Sequence, residues 1–234
     1  MNRMLLATLL VLSPPGAFAQ GTVFFSNRSA SSTSHVWGSP SALLALRGPG
    51  PNDTPPGTTP YEAAGMMLIG ASGTGGLYGA ATTFAQILAA PGANAAESSL
   101  VPMGQTTTFR TGSAVGFLAP ITSTLEGIAP DAPVATLEVA AWDNSSGLYP
   151  TWREAYPAWT QGLLGAVGLS GTFTVYSIGG DFNTPPSLSV PSFNLYAMPE
   201  PSTLALAVVG GGVLALAHRR RRISLHLCRS VVSR

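Results

Sequence analysis

Residues 20–197 of this 234-residue chain predict an all-β domain, an antiparallel β-sandwich of the jelly-roll or immunoglobulin-like kind with a long N-terminal loop. A single C-terminal transmembrane helix is expected beyond it. Three observations carry the fold class. Val134 to Trp142 alternates, with Leu137, Val139 and Ala141 expected inward and Thr136, Glu138 and Ala140 outward; Thr172 to Ser177 repeats the pattern with Phe173 and Val175 inward. Short strand candidates are separated by Gly, Pro, Asn or Asp, in a chain with 27 glycines and 20 prolines. No long amphipathic helix lies between them, which favours antiparallel sheets over βαβ units.

Taken in order, Gln20 to Arg28 is an apolar run closed by the turn-former Asn27 and reads as the first strand. Ser29 to Tyr61, rich in Ser, Gly, Pro and Thr, reads as a long surface loop. Further strands are expected at Gly65 to Ile69, Thr83 to Leu88, Thr106 to Arg110, Val115 to Leu118, Pro133 to Trp142, Gly171 to Ser177 and Ser192 to Tyr196. The Ala and Met content of Gly65 to Ala90 also suits a helix. A short helix over Thr151 to Tyr156, with Pro150 at its start and Pro157 ending it, would put Trp152 and Tyr156 on one face.

About 180 residues remain once the two terminal targeting segments are set aside, enough for one domain with a sizeable core. Hydrophobic residues make up 45% of the chain, so the body should fold. It holds four arginines against nine acids and no lysine, a net charge near −5, which disfavours nucleic-acid binding. The single cysteine, Cys228, lies in the C-terminal tail, so the body's stability must come from packing and not from disulfides.

The two ends carry addresses. Arg3, the apolar run Met4 to Leu12 and the small-x-small step Ala17-Phe18-Ala19 form a secretory signal over residues 1–19, to be removed by signal peptidase. At the other end, Pro199-Glu200-Pro201 leads into the uncharged stretch Thr203 to Ala217, and then Arg219, Arg220, Arg221 and Arg222. Fifteen residues span about 22 Å at ~1.5 Å per residue, short of the ~30 Å hydrocarbon core, so flanking residues and snorkelling arginine stems must make up the length. The arginine block sets the orientation, with the body outside the inner membrane.

Residues 198–222 resemble the PEP-CTERM sorting signal of Gram-negative bacteria: the Pro-Glu-Pro motif, the apolar helix over 203–217 and the arginine cluster follow one another in the expected order. The resemblance implies hand-over to a membrane-embedded exosortase, transient inner-membrane anchoring, and a surface or extracellular-matrix destination among exopolysaccharide or biofilm. The tail 223–234 departs from the pattern, which usually ends soon after the arginines. Within the body, Ser99 to Pro102, Phe109 to Gly112 and Ala141 to Asp143 resemble steps in matrix-directed proteins carrying this signal; that likeness implies fold and location, with no activity.

Candidate chemistry is sparse. Trp142, Tyr149, Trp152, Tyr156 and Trp159 fall within eighteen positions and read either as a platform for sugar rings, with Asp143, Arg153 and Glu154 beside it, or as a helix capping the sandwich with its aromatics buried. Glu138 with Asp143 or Glu154 would serve a secreted carbohydrate-active enzyme if a cleft held the carboxylates ~5 to 9.5 Å apart. His35, the body's single histidine, reads as a solvated loop residue; no G-x-S-x-G elbow surrounds Ser39 or Ser41, and no second His or Cys stands near for zinc. Gly73 to Gly79 lacks phosphate-loop spacing and reads as a turn. Asp143 to Gly147 reads as an Asx turn in preference to a Ca²⁺ loop. Neither a cofactor nor a metal is implied, and a structural or binding role is expected ahead of an enzymatic one.

Overall fold

The computed structural model describes residues 20–39 and 44–196. The segments expected to be a secretory signal (1–19) and a sorting signal with a transmembrane stretch (198–222, 203–217), and the tail 223–234, lie outside the described residues. Among the described residues no helix is long and apolar enough to cross a membrane.

The chain order is β1 (Gly21–Phe25), β2 (Val36–Gly38), β3 (Met67–Leu68), β4 (Thr83–Pro91), β5 (Val101–Thr107) and β6 (Ile121–Leu125). After these come β7 (Val134–Asp143), α1 (Trp152–Thr160), β8 (Val167–Leu169), β9 (Phe173–Tyr176) and β10 (Phe193–Leu195). The fold is therefore mostly β. Its largest sheet runs β5-β4-β7, and β8 and β9 share the far edge of β7, all antiparallel. Two smaller sheets, β1-β6 and β10-β2-β3, lie against one face; the β10-β2 pair is parallel. This layering is consistent with a β-sandwich.

The main core fills the space between these layers. Ile87 and Ala89 of β4 and Leu137, Val139 and Ala141 of β7 face Val23 and Phe25 of β1, Val36 of β2 and Phe193 and Leu195 of β10, all buried. Leu137, Val139 and Ala141 point inward as the alternation requires, and Val175 joins them with Phe173 packed alongside. The other face of the sheet is covered too. Helix α1 lays Trp152, Ala155 and Ala158 against Leu88, Ala140, Trp142 and Val167 to form a second core. Consequently Thr136, Glu138 and Ala140, expected in solvent, are at most 1% exposed. Thr136 is satisfied by the 92–96 turn: its hydroxyl donates to the Gly92 carbonyl at 2.8 Å and accepts the Ala95 N–H at 2.9 Å.

Other boundaries move for local reasons. The 29–61 segment is more than surface loop: it holds β2, whose Trp37 stacks on Tyr61 with ring centres 5.1 Å apart and packs beside Met66. Gly65 to Ile69 narrows to β3, and the helical alternative for 65–90 gives way to β3, an internally hydrogen-bonded loop and β4. No strand forms at 115–118. A 3-10 turn at Gly112–Ala114 and Gly116 at φ 78° interrupt the extended chain, leaving a single bridge between Phe109 and Leu118. The helix also runs past Pro157 to Thr160. A proline there removes one i→i−4 hydrogen bond, but Ala158 and Trp159 beyond it remain packed in the second core.

Candidate functional site

On the face of the large sheet covered by α1, a groove of about 710 Å³ opens between the helix, the outer side chains of β4 and β7, and the 3-10 turn Glu97–Ser99. Leu88, Leu100 and Leu169 give it apolar walls, Trp152, Arg153 and Tyr156 come from the helix, and Glu97 and Glu138 are its carboxylates. The volume falls within the ~300 to 1,000 Å³ typical of ligand sites, as does a mainly apolar lining with a few polar groups.

Helix α1 is fixed at its start by two glutamine- and glutamate-centred contacts. The Glu154 carboxylate accepts both the N–H and the hydroxyl of Thr151, at 3.0 and 2.9 Å, satisfying the first turn where a helix lacks internal partners. Gln86, on the outer face of β4, accepts the Trp152 N–H at 2.9 Å and donates to the Gly104 carbonyl of β5 at 2.9 Å. Those bonds tie the helix to two strands. Ala155, fully buried, lets the helix sit close to the sheet.

A β-bulge positions Glu138. Leu137 pairs with Phe173 and Ala140 with Leu169, so three residues, 170–172, oppose two on β7. Inside the bulge Val139 donates its N–H to the Ser170 hydroxyl at 2.9 Å, and Gly171, at φ 78°, turns its own N–H onto Glu138 Oε1 at 3.1 Å. A left-handed conformation of this kind is open to glycine at little cost. Glu138 Oε2 has no hydrogen-bond partner although the residue is fully buried. Burial of the charge raises the Glu138 carboxyl to about 7, the neighbouring charge of Glu97 adds to the rise, and Arg47 and the Gly171 N–H oppose it. The carboxyl beneath the groove is therefore raised toward neutrality, with one oxygen that has no partner and is closed to solvent.

The five aromatics divide sharply. Trp142 is fully buried with its indole N–H on the Tyr149 carbonyl at 2.8 Å, and Tyr149 and Trp159 are half-buried against the second core. Trp152 is buried but contributes to the groove wall, while Tyr156 stands 48% exposed at the rim with its ring 5.5 Å from that of Trp152. The shared face expected for Trp152 and Tyr156 is present. Asp143 and Glu154 do not line the groove. Five positions from Glu138, Asp143 falls on the opposite face of the strand, where Ser145 donates its N–H and hydroxyl to it in an Asx turn, at 3.1 and 3.0 Å. Glu154 is spent on the helix start. The carboxylate that does join Glu138 is Glu97, 41 positions upstream, which local pattern could not have revealed.

His35 differs from its expected solvated state. Its Nδ1 lies 2.7 Å from Asp53 Oδ1, and its ring packs 4.7 Å from that of Phe117. Ser192 donates its hydroxyl to Asp53 Oδ2 at 2.7 Å and accepts the His35 main-chain N–H at 2.7 Å. The serine thus bonds to the aspartate and not to the imidazole, so the trio lacks the serine-to-base contact of a nucleophilic triad. It acts as a clasp between the 29–61 segment and the start of β10. Among the described residues no group of three His, Cys, Asp or Glu side chains is placed to hold a metal ion.

No protein-family model, curated protein or solved structure matches this chain.

Proposed function

We propose that this chain is an exported protein of the bacterial surface or extracellular matrix whose exterior domain, read as a jelly-roll or immunoglobulin-like sandwich, binds polysaccharide in the groove beside α1. The address rests on the sequence: the secretory signal over 1–19, and Pro199, Glu200, Pro201 and Arg219 to Arg222 around the apolar stretch 203–217, which mark the chain for an exosortase. The binding role is carried by one observation. A half-exposed tyrosine, Tyr156, lines a groove together with Glu138, a buried carboxyl that has one oxygen unpartnered. Sugar rings offer C–H faces to aromatic side chains and hydroxyls to carboxyls, so this pairing suits them.

A second reading, glycoside hydrolysis, is favoured by the state of Glu138. A carboxyl raised to about 7 keeps its proton near neutral pH and so could donate it to a leaving glycosidic oxygen, and Glu97 is the other carboxylate lining the groove. Incubation of the full chain with a panel of polysaccharides separates the two. Retention without new reducing ends supports a binder; reducing ends that vanish in both Glu138→Gln and Glu97→Gln variants support the hydrolase. The address has its own test. Replacing Arg219 to Arg222 with Ser should leave the protein mis-sorted, and unchanged delivery to the surface would overturn that part.

A further inference from the structure

The described chain enters and leaves the fold at opposite ends. Gly21 donates its N–H to the Ile128 carbonyl at 2.8 Å beside Ile178, next to the start of β7. Tyr196, at the exit, exchanges two hydrogen bonds with Val167, at 2.8 and 3.1 Å, and Val167 pairs with Trp142 near the other end of β7. At ~3.3 Å per residue, the ten residues of β7 separate the two ends by roughly 30 Å.

Three loops meet at the exit end: 70–82 before β4, 144–149 after β7 and 161–166 before β8. Thr83 pairs with Asp143 there, and Gly165 lies against both Asp143 and the Leu77 side chain. None of the three loops contains a charged residue, yet each exposes one leucine: Leu77 at 53%, Leu148 at 69% and Leu163 at 65%. Leu163 is not needed for packing, since its neighbour Leu164 already fills the second core. The entry end also exposes apolar residues, Phe182 among them, but it carries Asp131, Asp181 and Glu126 as well. Arg110 also stands exposed at the exit end, beside the 70–82 loop, so what distinguishes the entry end is its carboxylates.

We propose that the exit end, through Leu77, Leu148 and Leu163, rests on the surface of a lipid bilayer. This inference depends on the proposed anchoring of residues 203–217. Six residues, 197–202, separate Tyr196 from that stretch, and the seven steps from Tyr196 to Thr203 reach only about 25 Å fully extended. With that anchor in place the exit end stays near the membrane, where the leucines meet the upper acyl chains and the Arg110 guanidinium stays among the headgroups.

The test uses the full chain in a Cys228→Ser background, which removes the single native cysteine. Leu148→Cys, Leu163→Cys and Phe182→Cys variants, each labelled with an environment-sensitive fluorophore, are reconstituted into phosphatidylcholine vesicles carrying a nitroxide at the upper acyl chain. Quenching at positions 148 and 163 is expected to exceed that at 182 at least threefold, with blue-shifted emission. Equal quenching at all three positions, in protein that resists alkaline extraction, overturns the docked end and leaves the anchor standing. Protein released by alkaline extraction overturns the anchor and the docked end together.

Discussion

The two faces of the five-stranded sheet are both buried but are built differently. Toward the main core, β4 and β7 present Ala85, Ile87, Ala89, Leu137, Val139 and Ala141, with polar residues on that face only at the terminal pair Thr83 and Asp143. Toward α1 the same strands present Gln86, Leu88, Glu138, Ala140 and Trp142, so two polar side chains are interleaved with the apolar ones. Gln86 is spent on structure, bonding to the helix and to β5. Glu138 has one oxygen on the bulge and one free. A buried carboxyl with an unused acceptor costs stability, which a face devoted to packing alone would avoid. The contrast separates a face given almost wholly to packing from one that also carries the carboxyl on which the proposed binding rests.

The largest effect is expected from the inner face. Leu137→Ala removes a fully buried side chain facing β1 and should lower unfolding free energy by about 3 kcal/mol in urea titrations followed by tryptophan fluorescence. It should leave polysaccharide retention unchanged under conditions where the variant is folded. A comparable loss of retention would break the division between the faces.

Nearly as large is the pH dependence of the outer face. Glu138 is raised from 4.5 to about 7, so between those values the folded state binds more protons than the unfolded one. Stability contributed by the neutral carboxyl is fully present below pH 4.5 and is lost as pH rises through about 7, a span of about 3 kcal/mol. Glu138→Gln should flatten that segment of the stability profile. Asp143, also raised by its burial, contributes in the same sense, and the difference between wild type and variant removes its share. Asp53 has the opposite sign. Burial would raise it, but hydrogen bonds from His35, Gly50 and Ser192 outweigh that and hold it below 3.8, so its contribution is lost only as pH falls below that value. Unchanged profiles for wild type and Glu138→Gln would show that the carboxyl is hydrated, and would remove the basis for the outer face's role.

Smaller effects sharpen the comparison. Gly171→Ala forces a side chain into φ 78° at the bulge and should cost about 1 kcal/mol, while lowering retention by misplacing the N–H that holds Glu138. Tyr156→Ala should change stability by less than about 0.5 kcal/mol, because the ring is half exposed, yet it should weaken retention.

The sequence made the inner face plain because its alternation is unbroken; Leu137, Val139 and Ala141 could be placed without any knowledge of neighbours. The outer face is not legible in the sequence, for a physical reason. Thr136, Glu138 and Ala140 alternate as solvent-facing residues do, and nothing local shows that α1 and the 92–96 turn will cover them. Strand β6, Ile-Thr-Ser-Thr-Leu, was missed because Ser123 occupies a fully buried position where alternation calls for an apolar residue. Strand β8, only Val-Gly-Leu, is too short to show a period. The aromatic cluster and its i, i+4 pair, Trp152 and Tyr156, show in the sequence, but burial divides the cluster into packing and rim. Glu97 could not be paired with Glu138 by spacing, since a turn 41 positions away meets the strand only after the sheet has formed.

Isothermal titration of the full chain with a soluble neutral polysaccharide, for wild type and for Glu138→Gln, Glu97→Gln and Tyr156→Ala, tests the groove most directly. Saturable binding by wild type that weakens at least tenfold in Tyr156→Ala and Glu138→Gln, with thermal unfolding of Tyr156→Ala unchanged, is the predicted result. Saturable binding of equal affinity in all four proteins would contradict it and place the ligand elsewhere on the domain.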